Sequence, residues 1–205
     1  MDSYNLALSK AVTGNHIPHR LVFSGLYELP FGKGRKFGMG KFGMGMSRLV
    51  DLGVGGWQIN VIATIQSGTP LSIGATNSIG LFTKAARANN NGTSAAKSGN
   101  VRDRLAAYFD PTVFTQPAPF TFGNVGTRLP DVLSPYGNNF DLSLFKQFAL
   151  TEKTKLQFRA EAFNAFNRVQ FGGINTTVTA GAAFGSVTSQ ANSPRQMQFG
   201  LKVLF

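Results

Sequence analysis

Apolar and polar residues alternate one for one along several stretches of this chain, and alternation of period two predicts β-strands, because successive side chains of a strand point to opposite faces. The clearest case runs from Val54 to Ile65. Trp57, Ile59, Val61, Ala63 and Ile65 oppose Gln58, Asn60, Thr64 and Gln66, with Ile62 the one apolar intruder. The last residues repeat the pattern: Met197, Phe199, Leu201, Val203 and Phe205 oppose Gln196, Gln198, Gly200 and Lys202. Between Arg20 and Pro30, Leu21, Phe23, Tyr27 and Leu29 lie opposite Arg20, Ser24 and Glu28. From Asn139, Phe140, Leu142, Leu144, Phe148 and Leu150 alternate with Asp141, Ser143 and Gln147, and Lys146 interrupts the apolar face. Lys155 to Asn167 sets Leu156, Phe158, Ala160 and Ala162 against Gln157, Arg159 and Glu161. There Leu156, Ala160, Phe163 and Asn167 would also share a helical face. The polar turn Thr151-Glu-Lys-Thr favours a strand, since it makes Leu150 to Leu156 a tight hairpin. Tyr4 to Val12 alternates weakly.

Between these strands the pattern fails. Pro30-Phe-Gly-Lys-Gly breaks the first, and a tandem repeat follows, Lys36-Phe-Gly-Met-Gly then Lys41-Phe-Gly-Met-Gly. Its glycine content opposes a helix and predicts a flexible turn. Ser67-Gly-Thr-Pro70 ends the second strand, and Leu71 to Ile73 is expected to begin another. Asn77 to Asn100 is rich in Asn, Ser, Ala and Gly and reads as a long, mobile loop. Val101 to Pro130 has no sustained periodicity, so a loop region of residues 75–130 is expected. Phe171-Gly-Gly and Thr176 to Gly185 read as a further loop.

Composition narrows the choice of solvent. Only 14% of the 205 residues are charged, against about 25% in an average soluble domain. No apolar run reaches the roughly 18 residues of a membrane-spanning helix, but strands that cross a membrane carry a much weaker signal per segment. Uncharged polar residues on the second face suit a wet lumen better than a dry core, where each would need a partner. Trp57 suits either an aromatic girdle at a membrane interface or the cap of an ordinary core.

A net charge of +11 first suggests nucleic acid. The Lys and Arg residues are scattered over polar faces and turns, with no basic helix or zinc spacing, so no nucleic-acid partner is expected. The absence of Cys excludes disulfides and thiolate metal sites. His16 and His19 have no acidic neighbour in sequence. Asp103 and Asp110 could pair as acid and base, but Asp103 sits between Arg102 and Arg104 and is expected in an ion pair. Ser24-Gly and Ser67-Gly lack a nucleophile elbow. No catalytic residue, metal site or cofactor is expected.

Gln198-x-Gly200-x-x-Val203-x-Phe205 resembles the C-terminal insertion signal of bacterial outer-membrane β-barrels. Further stretches resemble the C-terminal barrel region of TonB-dependent, Oar-like outer-membrane receptors: Val22-Phe-Ser-Gly-Leu-Tyr-Glu-Leu-Pro-Phe-Gly-Lys-Gly, Gly56-Trp-Gln-Ile-Asn, Gln66-Ser-Gly-Thr-Pro-Leu and Phe140-Asp-Leu-Ser-Leu-Phe-Lys. So do Leu156-Gln-Phe-Arg-Ala-Glu-Ala-Phe-Asn-Ala-Phe-Asn and Pro194-Arg-Gln-Met-Gln-Phe-Gly-Leu-Lys-Val-Leu-Phe. The order and approximate spacing match over nearly the whole chain.

The resemblance implies an all-β, antiparallel up-and-down transmembrane β-barrel of about twenty-two strands with a lumenal plug. Residues 1–205 would supply about six to eight of the strands. It implies membrane-facing or girdle positions at Trp57, Ile59, Val61, Phe140, Phe158 and Phe199, and lumen-facing positions at Gln58, Asn60, Thr64, Gln157, Arg159 and Glu161. Met1-Asp-Ser-Tyr-Asn-Leu carries no export leader, so the chain is expected to be a piece of a longer receptor and no competent transporter alone. The implied function is energy-coupled uptake of an unidentified ligand across the bacterial outer membrane, with residues between Asn77 and Arg128 nearest the ligand. The implied partners are outer-membrane lipid, the missing N-terminal barrel and plug, the TonB complex through that missing part, and the barrel-assembly machinery. Two other readings remain open: a complete small barrel with a structural or adhesive role, and a soluble glycan-binding β-sandwich.

Overall fold

The computed structural model describes residues 5–32, 35–37, 48–76 and 86–205. Most of the glycine-rich repeat and the first part of the expected loop, 77–85, lie outside the described residues. The chain divides into two compact units. One comprises residues 21–65, 138–168 and 193–205; the other comprises 1–20, 66–137 and 169–192.

The first unit is built on a single five-stranded sheet. Its strands are β1 (Arg20–Glu28), β2 (Trp57–Gln66), β7 (Gly137–Ala149), β8 (Lys155–Phe163) and β11 (Gln196–Leu204), adjacent in chain order. The β7–β8 and β8–β11 pairs are antiparallel. The β1–β2 pair runs the same way, because Leu29 donates to the Trp57 carbonyl while Ser67 donates to that of His19. Just beyond β2 and before β7, an antiparallel bridge joins Pro70 to Leu133. The same register carried along β2 sets Trp57 beside Lys146, as observed. The sheet is an up-and-down meander with β1 and β11 at its edges.

The strands fall where alternation predicts them, with small shifts at the ends. Val54 belongs to a helix, α1 (Arg48–Val54), and β2 starts at Trp57. Lys155–Phe163 is a strand, and the turn before it closes with Leu150 and Thr151 both donating to the Thr154 carbonyl. Among the described residues of this unit no hydrophobic side chain is buried; the buried side chains are Lys146 and Asn164. A β-sandwich would hide one face of the sheet against a second layer. Here Phe199 and Leu201 are 69% and 71% exposed, and the sandwich reading is set aside.

The second unit corrects the expectation of a long mobile loop. Its described residues make a packed core of isolated apolar side chains, including Ile73, Ala88, Ala95, Val101, Phe109 and Val125. Phe109 is fully buried, with its ring 5.9 Å from Phe114 and 5.2 Å from Phe184 in edge-to-face contacts. Short antiparallel pairs brace the core: β3 (Gly74–Ala75) with β4 (Ala86–Arg87), and β5 (Asn89–Asn90) with β6 (Phe114–Thr115). The loop expected at Phe171-Gly-Gly is instead a hairpin of β9 (Phe171–Ile174) and β10 (Val187–Gln190). Leu6–Ser9 is a 3₁₀ turn, so the weak alternation from Tyr4 does not make a strand there.

Where Leu71 to Ile73 was expected to open a strand, the chain makes backbone bonds to the 129–132 segment, with Leu71 donating to Val132 and Leu129 to Leu71. Gly68 sets this arrangement. A Cβ there would lie 1.7 Å from the Ser134 carbonyl oxygen, so only glycine lets the two segments approach.

Candidate functional site

Residues directly opposite in neighbouring strands share a face, so the register assigns every side chain of the sheet. One face carries Trp57, Ile59 and Val61 from β2, Phe140, Leu142 and Leu144 from β7, Phe158 from β8, and Phe199, Leu201 and Val203 from β11. These include all six residues named from sequence for the apolar side. Trp57 meets Phe158 edge-to-face at 6.1 Å, and Phe158 stacks on Phe199 at 6.5 Å.

Lys146 stands in the same row, yet it is only 3% exposed. Its ammonium lies 5.0 Å from the Trp57 ring centroid and 5.1 Å from that of Phe148. It also donates to the carbonyls of Leu52 at 2.5 Å and Gly53 at 3.1 Å, at the C-terminal end of α1. The Trp57 indole donates to the same Gly53 oxygen at 2.9 Å. A cation at a helix C-terminus is stabilised by the unpaired carbonyls there, and the aromatic faces add a cation–π attraction. The break in the alternation at position 146 is therefore a bonded anchor.

The opposite face carries Gln58, Asn60, Thr64, Gln157, Arg159 and Glu161, again the whole set named from sequence. Its side chains bond to one another across strands. Gln198 donates to Glu161 at 2.5 Å and Gln58 to Glu28 at 3.1 Å. Arg159 lies 3.6 Å from Glu161 and 4.9 Å from the centre of the Phe145 ring. Arg35 pairs with Glu28 at 2.7 Å. Of the insertion-signal residues, Gln198 and Gly200 stand on this polar face, Val203 faces Leu156 on the apolar one, and Phe205 follows β11 fully exposed.

Sequence reasoning missed Asn164, one of the two buried polar residues among the described residues. Its amide donates to the carbonyls of Arg168 (3.0 Å) and Ser193 (3.1 Å), and its oxygen accepts from Arg168 N–H at 2.9 Å. Its own N–H donates to Asp141 at 2.9 Å. Both Asn164 and Asn167 have positive φ, 48° and 49°, a region that Asn tolerates better than most residues. Asn167 accepts from Arg195 N–H. These two side chains turn the chain at the end of β8 and fasten it to the approach to β11, while the Asn164 backbone N–H ties it to Asp141 of β7. The only sequence signal was the repeated Phe-Asn at 163–167.

The other unit holds an open cleft of about 490 Å³, lined in part by Asn90, Thr93, Ser94, Asn124, Arg128 and Asp131. Many of its polar groups bond internally. Asn124 exchanges bonds with the Asn90 backbone at 2.7 and 3.0 Å, and the Ser94 hydroxyl donates to the Asp131 carboxylate. Arg128 reaches Ser72 at 3.3 Å.

Ser67 and Asp110, two of the residues weighed for chemistry, have structural partners. The Ser67 hydroxyl accepts from His19 N–H at 3.0 Å. Asp110 caps a 3₁₀ turn, accepting from the Thr112 hydroxyl and amide, and these bonds hold its carboxyl below the usual range. Burial pushes the Tyr108 phenol up, partly offset by the Arg104 charge. Asp103, expected in an ion pair, forms none among the described residues; Arg104 instead donates to the carbonyls of Lys97, Gly99 and Tyr108.

A family model described as an outer membrane beta barrel domain matches residues 1–198. No curated protein and no solved structure matches the chain.

Proposed function

The chain belongs to the outer membrane beta barrel domain family and is a protein of the bacterial outer membrane, and on that premise we propose that it forms the C-terminal segment of a TonB-dependent receptor that takes up an unidentified ligand. One observation carries the reading: a single register places an apolar set, interrupted at the bonded Lys146, on one side of the meander and a hydrogen-bonded polar set on the other. In a barrel the first set meets lipid and the second meets the water-filled interior. Trp57, Ile59, Val61, Phe140, Phe158 and Phe199 are the lipid-side residues. Gln58, Asn60, Thr64, Gln157, Arg159 and Glu161 line the lumen and do no chemistry on the ligand.

An open strand edge is not tolerated in lipid, because its backbone groups have no water to bond. The edges of β1 and β11 are therefore proposed to pair with the remainder of the receptor barrel. That remainder would also supply the plug and the contact with the TonB complex. Gln198, Gly200, Val203 and Phe205 are the proposed recognition signal for the barrel-assembly machinery. The cleft around Arg128 and Asp131 is the proposed ligand-facing element.

The test is an immunoblot of fractionated membranes, joined to an uptake assay with and without a protonophore. A band several-fold larger than 22.0 kDa in the outer membrane, with uptake abolished by the protonophore, is expected. A 22.0 kDa band that shifts on boiling, with no energy-dependent uptake, would replace the receptor with a small structural or adhesive barrel.

A further inference from the structure

The proposed function gives no role to α1. From Val50 to Val54 its only polar side chain is Asp51. The half-buried Asp51 carboxylate lies close to Gly32 and Gly55; a Cβ on Gly55 would lie 2.6 Å from it. Val50, Leu52 and Val54 are 47%, 51% and 45% exposed. Over these residues the exposed large side chains are the apolar Val50, Leu52 and Val54, a surface poorly suited to water and well suited to the boundary layer of a bilayer.

Three hydrogen bonds fix the side on which it sits. Lys146 and Trp57 both project from the apolar face of the sheet, and both donate to the terminal carbonyls of α1. The C-terminal end of the helix is thus held on the apolar side and is continuous with it. Lys146 further suits such a place, since a long cationic side chain can lie among apolar groups while its head reaches polar ones.

We propose that α1 is an interfacial segment, lying in the headgroup layer of the bilayer with Leu52 and Val54 against the tops of the acyl chains and with Lys146 and Trp57 holding it there. The inference rests on the assignment of the apolar face to lipid. Its effect is to fix the depth at which this end of the sheet meets the membrane surface.

The absence of Cys from the chain makes the test direct. Single nitroxide labels are placed at Leu52→Cys, Val54→Cys, Leu201→Cys and Glu152→Cys in the full-length polypeptide carrying no other cysteine, reconstituted in phospholipid vesicles. Collisions with oxygen, which partitions into lipid, are compared with collisions with a water-soluble nickel chelate. Leu201 reports the middle of the apolar face, and Glu152 reports the water-exposed turn at the same end of the sheet as α1.

The expected result is an oxygen-to-nickel ratio at Leu52 and Val54 several-fold above that at Glu152 and below that at Leu201. Lys146→Met should move both helix labels toward the Glu152 value and leave Leu201 unchanged, which also shows that the variant folds. Aqueous values at Leu52 and Val54 with a lipid value at Leu201 overturn the interfacial helix and leave the face assignment standing. An aqueous value at Leu201 overturns both. Labels shielded from both reagents would put a protein surface over α1 and overturn the lipid assignment. Lipid values that ignore Lys146→Met would overturn the anchoring role.

Discussion

Asn164→Ala is the substitution whose cost can be worked most fully from the geometry. It removes three side-chain hydrogen bonds, to Arg168 N–H and to the carbonyls of Arg168 and Ser193, from a residue only 6% exposed. At about 1 kcal/mol net for each bond, the loss is about 3 kcal/mol. Alanine must also hold the positive φ of 48°, which adds about 1 kcal/mol. The expected destabilisation is about 3–4 kcal/mol for N164A. Glycine meets the dihedral without strain, so N164G should be about 1 kcal/mol less damaging although it also lacks the three bonds. The assay is heat-modifiability of the outer-membrane protein on gels, with the folded fraction followed against temperature in wild type and both variants. If N164A and N164G melt together, the strain argument fails. If N164A melts with wild type, the whole account of the β8 turn fails.

Four further substitutions test other parts of the structure. Gly68→Ala drives a Cβ to 1.7 Å from the Ser134 carbonyl; because backbone must move, a loss above about 3 kcal/mol is expected, read as reduced folded yield in the outer membrane. Leu201→Arg puts a charge on the lipid side and should cost about 2–4 kcal/mol in urea unfolding from vesicles. Lys202→Gln on the opposite face should cost almost nothing, and equal effects would reverse the assignment of the two faces. The depressed Asp110 carboxyl contributes stability that is present above its ordinary value of 3.8 and is lost as pH falls through the lower folded value. Protection of the Thr112 amide from exchange should therefore exceed that in Asp110→Asn at neutral pH, and the difference should close in acid.

The five long strands were legible because each is wetted differently on its two sides, and alternation records that difference one residue at a time. The same property separates the twelve side chains named from sequence onto two opposite faces of the sheet. Lys146 was visible only as an interruption, since its partners Leu52 and Gly53 lie far away in sequence. The core around Phe109 left no trace in the pattern. Ala88 enters it between two short strands, Val101 from a 3₁₀ turn, and Ala95 and Phe184 from irregular segments, and no period connects them. The β9–β10 hairpin was hidden by Gly172 and Gly173 and by the long connection from Asn175 to Ser186. α1 was concealed by glycines at both ends, which favour turns when tertiary contacts are left out.

The core of the loop unit has a consequence for the order of assembly. Phe109, Phe114 and Phe184 reach one another only after β7 and β8 have been threaded between them in sequence. The β7–β8 hairpin needs only the turn Leu150–Thr154. Closing a short loop costs less chain entropy than closing a long one, so the hairpin zips early and the aromatic cluster locks late. Hydrogen-exchange labelling during assembly should find protection at Phe145 and Phe158 before Phe109. Until Phe184 arrives, the aromatic cluster with Phe109 and Phe114 is incomplete, and the chain passes through a stage in which its sheet has formed while this core is still open.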